Sequence, residues 1–288
     1  MFNAPDSPYR VPFDGTFKQS SAATSPDKAD LPDKKSLEKQ LGKRVKKLDG
    51  LQRKLYADDK HSILLVFQGM DAAGKDGTIR AVLQGINPAG CQVFSFKQPS
   101  NEELDHDFMW RTNRKLPERG RIGVFNRSYY EEVLVVKVHP EYLAGQRLAD
   151  INPDTIWDER YESIRDQEQH LARNGTLILK FWLNVSHEEQ RQRFLKRLDK
   201  PEKNWKFSSG DIKERAHWDE YMKAFEDAVS ETSRPWAPWY AIPADNKPYM
   251  RLCVADIVMQ AMQSLDLQYP ELDEKERQRF DEMREILG

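Results

Sequence analysis

A glycine-rich segment that follows a short apolar run constrains this chain more than any other feature. Residues 63–67 are apolar, residues 69–77 read GMDAAGKDG, and residues 78–84 have a composition that can form a helix. A phosphate-binding loop needs this order of strand, turn and helix, because its backbone N–H groups then converge on one anion at a helix N-terminus. The pattern GxxxxGK is complete, with Asp76 where a hydroxyl residue usually follows the lysine. The segment therefore predicts a phosphate-binding loop, and an ordinary strand–helix turn is the alternative.

Charged side chains inside this loop indicate how it would bind its anion. Lys75 would bring a full positive charge to the outer phosphates. A carboxylate next to phosphates is repelled unless a cation lies between them, so Asp71 and Asp76 predict a bound Mg²⁺. The alternative for Asp71 is that its side chain caps amides of the loop itself.

The overall composition excludes several classes of protein. The 288 residues include 45 basic and 47 acidic side chains, so the chain as a whole is not a polycation of the kind that binds nucleic acid. The two cysteines form no disulfide scaffold and fit a reducing compartment. No apolar run approaches the roughly 18 residues of a membrane span, and the N-terminal residues lack the apolar centre of a signal peptide. We therefore expect a cytoplasmic protein that binds neither nucleic acid nor a membrane.

Five apolar runs of strand length alternate with helical stretches. Such alternation with short connections predicts an α/β fold, with a five-stranded parallel sheet and helices on both faces. Ligands of such sheets bind beyond the carboxyl ends of the strands, where most of the informative residues of this chain stand. Capping boxes that begin at Ser100 and Ser186, and a left-handed end at Gly175, support the helix boundaries. The predicted strands are 63–68, 92–96, 122–125, 176–183 and 239–242, and the predicted helices are 100–115, 128–138, 155–173, 186–198 and 213–231.

The chain before the first strand has two parts. Residues 1–32 are rich in Pro, Ser, Asp and Lys and predict an arm, extended or partly disordered, with Tyr9, Phe13 and Phe17 as docking points. Residues 34–54 carry apolar side chains at steps of three and four, which predicts an amphipathic helix. This segment also holds nine basic and two acidic residues. Its basic face is either an ordinary solvated face or a path for a polyanion.

Polar residues directly follow the third predicted strand. Many enzymes with a phosphate-binding loop have an Asp at this point, which holds the metal or its water, whereas this chain has Asn126 followed by Arg127. An arginine at the carboxyl end of a strand can contact a phosphoryl group with two donors. The alternative is a surface arginine at the start of a helix that Ser128 caps.

A basic segment interrupted by proline follows the fourth predicted strand. Residues 191–215 hold nine basic and four acidic side chains, and Arg193 and Arg197 share one helix face. A helix, a basic hinge and a second helix are the parts of a lid that excludes water from a phosphoryl-transfer site. A solvated run of charges is the alternative. The tryptophans at 205, 218, 236 and 239 are interpreted as core and hinge packing rather than as surfaces on which a base stacks.

With these motifs together, the chain resembles the second family of polyphosphate kinases, which are polyphosphate:nucleotide phosphotransferases with a phosphate-binding loop. The similarity covers about 34–269, and the family also carries a non-hydroxyl residue after the loop lysine. It implies a fold like that of thymidylate kinase, with a single domain over 33–288 and a lid at about 191–215. Three separated motifs carry the resemblance: GMDAAGKDGT at 69–78, FNRSYY at 125–130, and EQRQRF at 189–194 with WK at 205–206.

The resemblance also implies an activity. It is Mg²⁺-dependent, reversible phosphoryl transfer from inorganic polyphosphate to adenine or guanine nucleotides, with Mn²⁺ as a substitute metal. Asn126 followed by Tyr-Tyr-Glu-Glu is similar to the subgroup that phosphorylates both AMP and ADP, and Glu132 would help to select the acceptor. Homo-oligomers, as dimers or tetramers, are usual in this family.

By the same resemblance, Asp71, Lys75 and Arg127 would be the catalytic residues. Asp71 would bind the metal and position the acceptor phosphate, and the charge argument on the loop adds Asp76 as a second metal ligand. The loop pattern and the resemblance together predict phosphate contacts from Gly69, Ala72, Ala73, Gly74, Lys75, Asp76, Gly77, Thr78, Arg127, Arg193, Arg197 and Lys206.

Two other functions stay open on the sequence. An ATP-dependent nucleoside monophosphate kinase would share the strands and the lid, although Asp76 and Asn126 fit it poorly. A non-catalytic sensor of nucleotides or polyphosphate would depend more on the basic helix than on the loop. Nucleotide product formed from polyphosphate without ATP would exclude the ATP-dependent kinase. A large loss of turnover in Asp71→Ala would exclude the non-catalytic sensor.

Overall fold

Five parallel strands form the centre of the molecule. The structure, a computed structural model, describes residues 4–27 and 31–288, so residues 1–3 and 28–30 of the predicted arm lie outside it. The strand order in the sheet is β2-β3-β1-β4-β5, and each strand agrees within one residue with its predicted bounds. The strands are β1 Ser62–Gln68, β2 Cys91–Ser95, β3 Ile122–Asn126, β4 Thr176–Asn184 and β5 Trp239–Pro243.

Strands β1 and β4, the central strand and one of its neighbours, are covered on both faces. Every residue of β1 and of β4 is buried, as expected for parallel strands between two layers of helices. Phe67 of β1 pairs with Asn126 of β3 and with Phe181 of β4, so the carboxyl ends of these strands are level. The loops that follow them therefore meet at one edge of the sheet.

The helices pack in two groups. One group contains α1, α2 and α11, the other contains α5, α6 and α10, and each group contacts the sheet. This arrangement confirms the predicted α/β fold. No helix within the described ranges is both long and apolar enough to cross a membrane. The helices are α1 Lys34–Asp58, α2 Lys75–Val82, α3 Asn101–Leu104, α4 Trp110–Asn113, α5 Val135–Val138, α6 Ile156–Arg173, α7 His187–Leu198, α8 Pro201–Asn204, α9 Ser209–Arg215, α10 Trp218–Thr232, α11 Lys247–Gln263 and α12 Glu274–Leu287.

Three of the predicted helices are wrong in extent. The helix predicted at 100–115 is two single turns, α3 and α4, because the Asp107 carboxylate accepts the N–H of Met109 at 2.9 Å and starts a new turn. The helix predicted at 213–231 is divided into α9 and α10. The helix predicted at 128–138 is a 3₁₀ segment, Tyr129–Val133, followed by α5.

A buried ionic network explains the last of these differences. Tyr129 and Tyr130 donate to Glu168 Oε1 at 2.8 and 2.9 Å, and Lys180 Nζ donates to Glu168 Oε2 at 2.6 Å. Glu168 and Lys180 are both fully buried. The network holds the segment after β3 against α6 and β4, and so fixes the backbone that follows Arg127.

The N-terminal arm covers an edge of the sheet. The N–H of Ala241 donates to Tyr9 O at 2.8 Å, and an antiparallel bridge joins the arm to β5. The arm therefore protects the backbone of an edge strand. Of the predicted docking side chains, Phe17 is buried, and Tyr9 and Phe13 are half-buried.

Candidate functional site

The loop between β1 and α2 has the curled backbone that its sequence predicts. Gly69, Ala72 and Gly74 have positive φ angles of 149°, 63° and 109°, in the region that glycine favours. A Cβ atom on Gly69 would lie 2.9 Å from Leu183 O, so no larger residue fits there without a shift. Because α2 begins at Lys75, its first turn presents N–H groups at the loop. The loop therefore has the geometry of an anion-binding turn.

Arg193 of α7 binds the backbone of this loop and of the segment after β5. Its side chain is 4% exposed, and all five of its N–H donors are used by protein acceptors. This arrangement differs from the prediction that Arg193 closes over phosphate from the lid, because no donor is left for a ligand. The acceptors are the Glu189 carboxylate, the loop carbonyls of Ala72 and Ala73, and the carbonyls of Ala244 and Asp245 after β5, at 2.6 to 3.2 Å.

Gln190 of the same helix joins the loop to the lid. Its Nε2 atom donates to the backbone carbonyl of Asp71 at 3.0 Å, while its Oε1 atom accepts from Arg215 Nη1 at 2.7 Å. Arg215 is the last residue of α9. Sequence spacing did not identify Gln190, because its two partners lie far away in the chain.

Asp71 and Arg127 are in direct contact at the mouth of the loop. Arg127 has a left-handed backbone, with φ of 65°, and donates from Nη2 to Asp71 Oδ1 at 2.5 Å and from Nη1 to Glu131 Oε2 at 2.8 Å. Burial alone would raise the pKa of Asp71, but the charges of Arg127, Lys75 and Arg197 hold that pKa below its ordinary value. The negative charge of the Glu131 carboxylate is the main reason why the pKa of Arg127 is raised. Asp71 is therefore ionised and Arg127 charged.

The ammonium of Lys75 lies against the loop backbone. Its Nζ atom donates to Gly69 O at 2.6 Å and to Met70 O at 3.3 Å. Burial, followed by the nearby positive charge of Arg127, lowers the pKa of Lys75 to about 8. Thr78 does not face the pocket: its side chain is buried and its hydroxyl donates to Gly74 O at 3.0 Å, which gives no support to its predicted phosphate contact.

The loop opens into a strongly basic pocket of about 540 Å³. Ten of its lining side chains are cationic and two are acidic, a balance that suits a polyanion. Lys247 and Arg251 stand one turn apart at the start of α11, directly after β5. The rule that ligands bind beyond strand ends could have identified these two. The lining cations are Lys75, Lys97, Arg127, Arg193, Lys196, Arg197, Lys203, Lys206, Lys247 and Arg251.

The predicted lid lies over one side of this pocket. Arg197 Nη1 donates to Asp211 Oδ2 at 2.9 Å and to Lys206 O at 3.2 Å. Lys206 Nζ lies 3.9 Å from Asp76 Oδ2, in the first turn of α2. The structure thus brings Arg197 and Lys206 to the pocket, with Asp211 as the anion that Arg197 binds.

The two predicted acceptor residues have different surroundings. Asn126 Nδ2 donates to Asp76 Oδ1 at 2.6 Å, so Asn126 orients a side chain of the loop. Glu132 does not line the pocket: its carboxylate accepts from Gln146 Nε2 at 2.7 Å and lies 3.1 Å from Arg160 Nη1. Burial raises the pKa of Glu132, against the opposing charge of Arg160. Direct contact between Glu132 and a nucleotide stays a prediction.

The carboxylates at the pocket fit a substrate-bridged magnesium ion. Within residues 4–27 and 31–288, no group of three or more His, Cys, Asp or Glu side chains could hold a metal. Mg²⁺ in phosphoryl-transfer sites is commonly held by one or two carboxylates, with phosphate oxygens and water completing its shell. Asp71 and Asp76 line the pocket and fit that role.

Comparisons with known proteins agree with this geometry. The family model for Polyphosphate kinase 2 matches residues 32–270. An ADP-polyphosphate phosphotransferase of Rhodopseudomonas palustris is 56% identical over 249 residues, which are 86% of either chain. An AMP/ADP-polyphosphate phosphotransferase of Meiothermus ruber is 43% identical over 91% of this chain and 95% of its own length. The crystal structure of polyphosphate kinase 2 from Arthrobacter aurescens TC1 superposes with a TM-score of 0.87 at 35% identity, over 98% of this chain and 99% of the other.

Proposed function

The chain belongs to the Polyphosphate kinase 2 family, and from this premise we propose that it transfers a phosphoryl group reversibly between inorganic polyphosphate and adenine or guanine nucleotides. The observation that carries the proposal is the pocket of ten cations and two acids at the mouth of a curled, glycine-rich loop. A chain of phosphates needs such a continuous positive lining, whereas a single phosphate does not.

The proposed mechanism depends on cations held in position. In phosphoryl transfer, negative charge spreads over three equatorial oxygens of the moving group, so positioned cations supply most of the catalysis. Phosphate oxygens would replace Asp71 as the partner of Arg127, and the carbonyl of Gly69 as the partner of Lys75. Arg197 of the lid would exchange Asp211 for the polyphosphate. These exchanges keep each positive charge paired while the phosphoryl group moves.

Magnesium belongs to the same proposal. When bound, Mg²⁺ would neutralise charge on the phosphate oxygens, and Mn²⁺ would substitute for it. Asp71 would be its main protein ligand, because this carboxylate is ionised and lies between the loop and Arg127. Asp76 would be the second, held in place by Asn126.

We propose both ADP and AMP as acceptors. The Rhodopseudomonas relative is named for ADP, and the Meiothermus relative is named for AMP and ADP. ADP is therefore the acceptor common to both names. The AMP activity rests on the segment from Asn126 to Glu132 and needs its own measurement.

The test is product formation with polyphosphate as the only donor. Polyphosphate, Mg²⁺ and either ADP or AMP are incubated without ATP, and nucleotides are separated by ion-exchange chromatography. We expect ATP from ADP, and ADP followed by ATP from AMP, with Lys75→Met as the inactive control. No product from either acceptor would reject the proposal, and product from ADP alone would restrict it to the second phosphorylation step.

We also propose that the protein forms a homo-oligomer. Helix α12 carries Phe280, Met283 and Leu287 on one face, and all three are exposed. Contact between copies would bury this apolar face. Light scattering should give a multiple of 33.7 kDa. The substitution Met283→Glu should lower that mass if α12 forms the contact, and an unchanged mass would place the contact elsewhere.

A further inference from the structure

Trp205 differs from every other tryptophan of the chain. Its residue is 77% exposed, whereas the other six tryptophans are buried or half-buried. The interpretation of Trp205 as core packing is therefore wrong. Leaving an indole in water forgoes the large apolar burial that this side chain usually contributes. Such an exposed aromatic surface next to a site indicates contact with a ligand.

The indole is exposed and yet held in place. Its Nε1–H donates to Glu202 O at 3.0 Å, which uses the only polar group of the ring. The preceding residue, Asn204, donates from Nδ2 to the carbonyls of Arg197 and Leu198 at 2.7 and 2.8 Å. These contacts tie the hinge between α8 and α9 to the end of α7. The ring is therefore positioned before a ligand arrives, and ordering it on binding requires little entropy.

Two side chains connect the indole to the phosphate pocket. Lys206 Nζ lies 4.9 Å from the centroid of the Trp205 ring and 3.9 Å from Asp76 Oδ2 in the first turn of α2. Lys203, on the other side of Trp205 in the chain, lines the pocket together with Lys206. The indole thus lies within the lid, with the Lys206 side chain between it and the first turn of α2.

We propose that Trp205 stacks on the base of the acceptor nucleotide when the lid closes. The inference rests on the proposed function, because it takes the ligand to be a nucleoside phosphate whose phosphates lie at the loop. Stacking on an aromatic side chain contributes about 1–3 kcal/mol per base and tolerates different bases, because every base has a π-face. Trp205 therefore strengthens nucleotide binding without selecting one base by hydrogen bonds, and favours purines through their larger stacking area.

The experiment compares acceptors with and without a base. The Michaelis constant of ADP and the inhibition constant of ribose 5-diphosphate against ADP are measured at saturating polyphosphate for wild type, Trp205→Ala and Trp205→Phe. Loss of about 1–3 kcal/mol of stacking corresponds to roughly a 5- to 150-fold higher constant. We expect such a rise for ADP in Trp205→Ala, little change for ribose 5-diphosphate and for polyphosphate, and recovery of most of the affinity in Trp205→Phe. Leu198→Ala, which removes another exposed apolar side chain of the lid, is the matched control and should change none of these constants.

A spectroscopic readout supports the kinetic one. Adding ADP should quench tryptophan emission in wild type and less so in Trp205→Phe, whereas tripolyphosphate, which has no base, should leave the emission unchanged. The inference is overturned if Trp205→Ala changes the constants of ADP and ribose 5-diphosphate equally, which indicates a general role in lid closure. It is also overturned if Trp205→Ala changes neither constant, which indicates contact with another protein. Failure of wild type to use polyphosphate at all would instead reject the proposed function.

Discussion

Replacement of Arg193 by methionine should damage the loop rather than the affinity for polyphosphate. The guanidinium joins three segments of chain through five hydrogen bonds, four of them to backbone carbonyls. Methionine has a similar length and no donor. The variant therefore leaves these carbonyls without their partner and frees the Ala72 backbone, which has a positive φ of 63°.

The size of the effect follows from burial. The Arg193 side chain is 4% exposed and its Glu189 partner 27%. Removing one partner of a largely buried pair lowers the free energy of unfolding by about 3–5 kcal/mol. With an unfolding entropy of about 2.1 cal/mol/K per residue over 288 residues, the midpoint of thermal unfolding should fall by roughly 5–8 °C. A displacement of the loop by about 1 Å should also lower kcat by on the order of 100-fold.

Arg197→Met is the matched control, because this arginine lies one turn later on α7. Its side chain is 20% exposed and binds Asp211 of the lid. We expect it to raise the Michaelis constant of polyphosphate and to change the midpoint of thermal unfolding by a few degrees at most. Calorimetry and initial rates over a range of polyphosphate concentrations measure both quantities for both variants.

One result would refute this reasoning. If Arg193→Met unfolds at the wild-type temperature and raises the Michaelis constant of polyphosphate as Arg197→Met does, Arg193 binds phosphate from the lid. The sequence-based prediction would then be right, and the hydrogen bonds from Arg193 to the backbone carbonyls would contribute nothing to activity.

Three further predictions concern charged side chains. Asp71→Asn should lower kcat by roughly 100- to 1000-fold and weaken Mn²⁺ binding measured by electron paramagnetic resonance, whereas equal Mn²⁺ affinity would show that Asp71 is not a metal ligand. The kcat/KM for polyphosphate should fall as pH rises through about 8, because the free enzyme then loses the Lys75 proton, and a flat profile to pH 10 would contradict this assignment. Because the pKa of Lys75 falls from 10.5 to about 8 on folding, the unfolded chain binds more protons than the folded chain between these pH values. Lys75 therefore raises the free energy of unfolding as pH rises through this range. Unfolding caused by Lys75 thus does not explain the expected fall in kcat/KM. Lys180→Met should lower the free energy of unfolding by about 3–5 kcal/mol in urea titrations, since it leaves Glu168 buried without its partner, and the double substitution Lys180→Met with Glu168→Leu should restore much of that loss.

The strands and the loop could be predicted because their signals are local. Apolar runs mark the buried strands, and the glycines of the loop are needed for its backbone whatever lies around it. Asn174 and Gly175 likewise end α6 as predicted, with a positive φ of 89° at the glycine. These features depend on neighbours in the chain, so one sequence is enough to identify them.

Other features depend on partners that are distant in the chain. Arg193 and Arg197 have the same spacing pattern, yet one clamps backbone carbonyls after β1 and β5 and the other faces the lid. The break after β3 arises from Glu168 and Lys180, which lie on other elements. Sequence periodicity places such residues on a helix face or strand but does not give the tertiary partner.

The residues missed in the pocket show the same limit. Lys247 and Arg251 reach the loop only because α11 packs beside α2. The basic face of α1, with Lys43 and Lys46, was the predicted extension of the polyanion path, and these side chains do not line the pocket. Whether that face binds polyphosphate stays a prediction.

The central claim is that the loop, Arg127 and a carboxylate-bound metal hold the end of the polyphosphate chain. Crystals grown with Mn²⁺ and a short polyphosphate test it most directly, because manganese can be located by its anomalous scattering. The account predicts a manganese peak at the Asp71 carboxylate, with a phosphate group between Lys75 Nζ and the Arg127 guanidinium. A phosphate chain ordered elsewhere on the surface, with manganese away from Asp71, would contradict it.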